Sequence, residues 1–190
     1  MKFYTGVGSR ETPDDILKMM TRLGKKLASE GWTLRSGGAV GADAAFEFGW
    51  FDWFVSQTPW PSEPQAEIFL PWNGYNGHDR DGCFGANILP DEDDKGLSIV
   101  AEGIAAQMHP NWGACKQGAR KMHARNVYQV LGRDLKTPSK MLVAWTKLTK
   151  AGQPMGGTAT AIRLAEKHNI ACFNLNKPVD FERIQIYLGE

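Results

Sequence analysis

Two stretches combine glycines with small hydroxyl residues where an apolar, strand-like run gives way to a helix. They are Ser36-Gly37-Gly38-Ala39-Val40-Gly41-Ala42-Asp43 and Met155-Gly156-Gly157-Thr158-Ala159-Thr160. Such a turn leaves backbone N–H groups unpaired at the positive end of a helix dipole, which is an anion site. Two of them in one small chain point to opposite walls of a single nucleotide site. A third piece, Gly6-Val7-Gly8-Ser9-Arg10, offers close backbone approach, a hydroxyl and a fixed positive charge. Asp43 would repel an anion at its own helix start, so a ribose hydroxyl or a base N–H suits it better than phosphate. Glu47 follows one turn later on the same helix face. The Asp43/Glu47 pair is either a catalytic carboxylate pair or a solvated acidic face.

Other candidates lie further along. Arg125-Asn126 precedes apolar Val127, Val130 and Leu131, which pull that end of a basic helix toward the core. Trp145-Thr146 closes a strand, where the indole either stacks on a base or packs in the core. Phe46, Trp50, Trp53 and Phe54 recur at helical spacing and predict core packing or a contact between copies of the chain. His123 has no second His or Cys at ligand spacing, so no metal and no resident cofactor is expected. Cys83, Cys115 and Cys172 form no CxxC pair and read as reduced thiols of a cytoplasmic protein.

The elements that must position these residues follow from periodicity. Strands are expected at Phe3–Val7, Trp32–Leu34, Ala66–Leu70, Met141–Trp145 and Ile170–Asn174. Helices are expected from Thr12, as N-cap, to Glu30, and over Ala42–Phe54, Leu97–Met108, Cys115–Leu131, the stretch ending at His168, and Val179–Leu188. Residues 73–96 carry turn chemistry without periodicity and read as a long functional or mobile loop, a lid or an interface. Strand–helix alternation predicts an α/β fold: a Rossmann-like open parallel sheet with helices on both faces, built as one domain over 1–190. Ligands of such sheets sit beyond the carboxyl ends of the strands. The 190 residues carry a formal net charge of +1, which argues against wholesale coating of a polyanion. Neither a signal peptide nor a bilayer-length apolar run is expected, so no membrane partner is.

Taken together, Gly6-Val7-Gly8-Ser9-Arg10, the Arg35-to-Asp43 turn, Ala124-Arg125-Asn126 and Gly156-Gly157-Thr158 resemble the SLOG superfamily. These are the Rossmann-like domains shared by DNA-processing protein A and the Lonely Guy phosphoribohydrolases. The resemblance covers most of the chain outside residues 55–110 and looks most like the small stand-alone members that phages and bacteria carry. It implies a nucleotide or ADP-ribose-type ligand, held by a sensor, a sequestering protein or a weak hydrolase. Gly8, Ser9, Arg10, Ser36, Gly37, Gly38, Gly41, Gly156, Gly157 and Thr158 would hold phosphate, and Asp43, Arg125, Asn126, Trp145 and Thr146 the sugar or base.

Two other functions are implied by the same resemblance. Lonely Guy enzymes cleave the N-glycosidic bond of nucleoside monophosphates with an arginine before the second turn and a glutamate just after it. Arg125 matches the arginine, but Ala159, Thr160, Ala161 and Ile162 stand where the glutamate would be. Glu47 or Asp43, from the opposite wall, is then the candidate carboxylate for an N-glycosidase. The DNA-processing relatives bind single-stranded DNA, and their Arg-Asn pair and Ser-Gly-x-x-x-Gly-x-Asp turn look similar. The near-neutral charge disfavours that reading. Self-association into a homo-oligomer is left open by the sequence.

Overall fold

A computed structural model describes the backbone of residues 1–190 and every side chain except that of Cys83. Six parallel strands form one sheet: β1 (Lys2–Gly8), β2 (Trp32–Ser36), β3 (Ala66–Phe69), β4 (Asn87–Ile88), β5 (Met141–Trp145) and β6 (Ala171–Asn174), in the order β4-β3-β2-β1-β5-β6. The order runs outward one way from β1 and the other way from β5. The topological switch point therefore lies between these two strands, where Gly8 pairs with Trp145 at their carboxyl ends.

Helices cover both faces, and two apolar layers result. On one side α1 (Asp14–Ser29), α2 (Ala42–Val55) and α7 (Pro178–Leu188) bury Leu23, Leu27, Phe46, Trp50 and Ile184 against the sheet. On the other, α4 (Lys95–Met108), α5 (Gln117–Leu131) and α6 (Thr158–Lys167) bury Ala101, Val127, Val130 and Leu164. A one-turn helix, α3 (Pro90–Asp93), leads into α4. Phe46, Trp50 and Phe54 are core residues, and Trp53 packs partly buried beside them. Of the two readings of the aromatic face, core packing is the one the fold adopts.

Several local expectations change. Thr12 does not cap the first helix: its hydroxyl donates to Ser9 O at 2.7 Å, and α1 begins after Pro13 without a side-chain cap. The segment 73–96 is not an unstructured loop. It contains the edge strand β4 and the short α3, and its Tyr75 is buried. A two-residue strand carries too little periodicity to be read from sequence. Asn76 Nδ2 donates to Gly38 O at 2.8 Å, so this segment clamps the first glycine turn.

Glycines set how closely α1, α2 and the sheet approach. A Cβ at Gly49 would lie 2.1 Å from Thr21 O, and one at Gly24 would lie 2.7 Å from Phe46 O. A Cβ at Gly6 would lie 2.6 Å from the Phe46 ring. Gly6 therefore serves packing between sheet and helix. Gly49→Ala should destabilise the protein by about 2 kcal/mol, because two backbones must separate. Gly103→Ala, on an open face of α4, should stabilise by about 0.5–1 kcal/mol. Urea unfolding of the two variants checks the pair; equal effects would contradict the close-approach account.

Candidate functional site

The carboxyl ends of β1 and β5 open into a cavity of about 620 Å³, a size suited to a small-molecule ligand. Gly8, Ser9 and Arg10 form one wall, with Ala39 and Asp43 behind them. Arg125, Asn126 and Thr146 form the floor, and Gly156, Gly157 and Thr158 the opposite wall. The lining also includes Lys147, Met122 and His123, which sequence reasoning did not assign to the site. Lys147 was legible in principle, as the residue after Thr146 at the strand end. It pairs with Glu11 at 2.6 Å on the exposed rim, and Lys147 lowers the pKa of that carboxylate.

Six expected site residues lie elsewhere. Ser36 is fully buried, Trp145 packs in the core, and Gly37, Gly38, Gly41 and Glu47 stand behind the cavity wall. The indole of Trp145 belongs to the core and not to the cavity lining. For the glycines and Glu47 the reason is the first glycine turn itself, whose Gly38 amide and Gly37 carbonyl are engaged internally. Gly38 N donates to Glu47 Oε1 at 2.9 Å, and Gly37 O accepts from Arg125 Nη1 at 2.7 Å. At the start of α2, Ala42 N donates to Ser9 O at 3.5 Å. Asp43 Oδ1 accepts from Gly8 N at 3.1 Å, so an acid already occupies the positive end of this helix. A Cβ at Gly8 would lie 2.5 Å from Ala42 Cβ, which lets α2 seat this closely on β1.

The second turn is built the other way. Asn126 Nδ2 donates to Gly157 O at 2.9 Å, and Thr146 Oγ1 donates to Met155 O at 2.7 Å. These bonds hold the carbonyls from below, while the first amides of α6, at Gly157 and Thr158, have no intrahelical acceptor. Gly156 has φ +69°, the left-handed conformation that turns the chain into the helix. Gly157 is helical in φ and ψ, and no atom stands near the position of a Cβ there. This turn faces the cavity with its donors free.

Electrostatics separate the two carboxylates. Asp43 is buried, its Oδ2 has no partner among the described residues, and burial raises its pKa against the opposing pull of Arg125 and of backbone N–H groups. Glu47 has an 11 % exposed side chain, and burial, with the nearby Asp43 charge, pushes its pKa up to about 8. His78 Nε2 lies 3.7 Å from Glu47 Oε2, and burial lowers the pKa of this histidine. At neutral pH the pair is a neutral acid beside a neutral imidazole, rather than a salt bridge.

His123 also departs from expectation. Sequence spacing gave it no ligating neighbour, but the turn after α4 brings His109 and Cys115 to it, and the ligating atoms of all three lie within 4.8 Å of one another. Burial, followed by His109 and Arg125, lowers the His123 pKa to about 4.

No family model matches the chain, and no curated protein matches it. Among solved structures it is similar to the Moco carrier protein of Chlamydomonas rheinhardtii, at 20% identity and a TM-score of 0.44, over 90% of this chain and 74% of that one. It is also similar to DNA processing protein A from Helicobacter pylori, whose single-stranded DNA binding mode that structure describes. There the identity is 15% and the TM-score 0.37, over 100% of this chain and 79% of the other. At these values the functional reading rests on the chain's own cavity. No helix among the described residues is long and apolar enough to cross a membrane.

Glu47 gives this geometry a pH signature. Its folded pKa of about 8 stands above the ordinary value of 4.5. Between these values the folded state holds a proton that the unfolded state has released, so stability falls as pH rises through that window. Glu47→Gln keeps a neutral side chain at every pH and should gain on the parent between pH 5 and pH 8 in urea unfolding. Parallel pH curves for the two proteins would contradict the buried, protonated Glu47.

Proposed function

We propose that the protein binds a nucleotide or an ADP-ribose-type small molecule in the cavity between β1 and β5. Phosphate is taken by the amides that open α6 at Gly157 and Thr158. Asp43 takes a sugar hydroxyl from the opposite wall. The observation that carries this reading is the buried, unpartnered Oδ2 of Asp43, on a cavity whose other wall is a free helix N-terminus. A buried carboxylate oxygen without a donor is costly, and a ligand hydroxyl supplies the missing hydrogen bond.

Charge around the site supports an anionic ligand with a polar, uncharged portion. Arg10 and Lys147 stand on the cavity lining, and the α6 dipole adds partial positive charge. Thr146 Oγ1 is spent as a donor on Met155 O, whereas Ser9 Oγ only accepts from Glu11 N and keeps its O–H for a ligand. Arg125 positions the walls through Nη1 on Gly37 O and Nη2 on Asn126 Oδ1 at 3.3 Å, while its Nε has no acceptor among the described residues. Binding is favoured over N-glycosidic cleavage by two features. No carboxylate follows the second turn, and Glu47 lies outside the cavity lining.

Thermal melting against AMP, ADP and ADP-ribose tests the reading. A ligand present at a hundredfold excess over its Kd should stabilise by about 2.7 kcal/mol, which raises Tm by about 5 °C or more in a chain of this size. Gly157→Glu places a carboxylate on the phosphate position in open space and should abolish the shift, while Gly157→Ala retains most of it. Asp43→Asn should weaken binding about tenfold, the size of one hydrogen bond to a charged group. No shift with any of the three ligands, in a protein that melts cooperatively, would contradict the proposal.

A further inference from the structure

A second constellation lies at the margin of the cavity and takes no part in the ligand contacts above. His109 is the residue that ends α4, Cys115 follows the single 3-10 turn Trp112–Ala114, and His123 stands on α5. Three separate pieces of backbone thus converge. Cys115 Sγ lies 3.7 Å from His109 Nδ1 and 3.9 Å from Nε2, and the two imidazole rings have centroids 4.5 Å apart.

We propose that His109, Cys115 and His123 form a three-ligand site for a zinc-class transition-metal ion. A tetrahedral zinc bonds sulfur at about 2.3 Å and nitrogen at about 2.1 Å, which places neighbouring ligand atoms about 3.6 Å apart. The histidine–cysteine spacing already matches this, and the full set of ligand atoms, within 4.8 Å of one another, closes onto an ion with side-chain shifts of about an ångström. Two nitrogens and one thiolate are the donor set that borderline-soft ions select.

The surroundings are those of a held ligand set. His123 Nδ1 lies 2.9 Å from Thr160 Oγ1, which occupies that nitrogen and leaves Nε2 for an ion. A bond to the second ring nitrogen is what orients metal-bound histidines. Trp112 packs edge-on against both imidazoles, with centroids 6.2 Å from His109 and 6.1 Å from His123. Arg120 Nε donates to Cys115 O at 3.0 Å and fixes the backbone that carries the thiol. Its guanidinium, and that of Arg125, oppose a cation, and the thiolate must offset them. Two neutral histidines and one thiolate leave the loaded site at a net charge of +1. Three protein ligands leave a tetrahedral ion one open position, and His123 lines the nucleotide cavity as well.

Titration of the reduced protein with Co2+, followed by optical absorption and then displaced by Zn2+, tests this independently of any nucleotide. One equivalent should produce thiolate-to-cobalt charge transfer and the intense visible bands of tetrahedral cobalt. Cys115→Ser should abolish the charge-transfer band, His109→Ala should weaken binding at least tenfold, and Thr160→Val about tenfold. Cys172→Ser, outside the cluster, should change nothing. His109 and Cys115 lie outside the helices, so these variants should retain the parental circular dichroism and keep the test decisive if His123→Ala fails to fold. Absence of a thiolate band at one equivalent, or its persistence in Cys115→Ser, would overturn the site.

Discussion

Two adjacent side chains on α5 hold both walls of the cavity. Arg125 Nη1 donates to the carbonyl of Gly37 in the first turn, and Asn126 Nδ2 donates to the carbonyl of Gly157 in the second. The turns come from opposite sides of the switch point, and these two neighbouring side chains tie both to the same helix. Arg125 is buried, its guanidinium lies 5.6 Å from the centre of the Tyr75 ring, and Asp43 supplies the nearby negative charge. A buried guanidinium is tolerable only with its donors engaged and its charge offset. A Cβ at Gly37 would lie 2.1 Å from Gln129 Nε2 and 2.7 Å from the Arg125 guanidinium carbon. The glycine admits both Gln129 and the arginine, and the arginine fixes the glycine turn.

This constraint makes the two turns unlike. Arg125 and Asn76 hold the first turn through the Gly37 and Gly38 carbonyls, and Glu47 takes the Gly38 amide, a donor that an anion would otherwise use. Holding the second through its carbonyls alone leaves the amides free. In the proposed function one turn serves as scaffold and the other as receptor, with Asp43 as the polar counterpart across the cavity. Glu47 itself bonds the Gly38 amide behind the cavity wall and is not part of the cavity lining.

The fold was legible because most of its strands are short apolar runs bounded by turn residues, and because helices alternate with them. β5 (Met141–Trp145) has the residues read from sequence, and α2 differs by one residue at its end. β4 was not legible, because two residues show no alternation and the surrounding asparagines and glycines spell turns. The cavity was legible at Gly8, Ser9, Arg10, Asp43, Arg125 and Gly156-Gly157-Thr158, where residue type and position at a strand end agree. It was not legible at Ser36, Gly38 and Glu47. The motif there is identical to that of an anion-binding turn, and only the tertiary partners decide whether its donors are free. The convergence of His109, Cys115 and His123 was hidden for a related reason. It depends on the path of the turn between α4 and α5, which carries no periodic signal.

Nitrogen-15 amide spectra recorded during an ADP titration test the central claim most directly, because they report each turn separately. The account predicts that Gly157 and Thr158 shift strongly, with Ser9 and Arg10, along one saturating isotherm. The Gly38 amide, bonded to Glu47, should move little. Large shifts at Gly37 and Gly38 with Gly157 and Thr158 unchanged would contradict the division into scaffold and receptor.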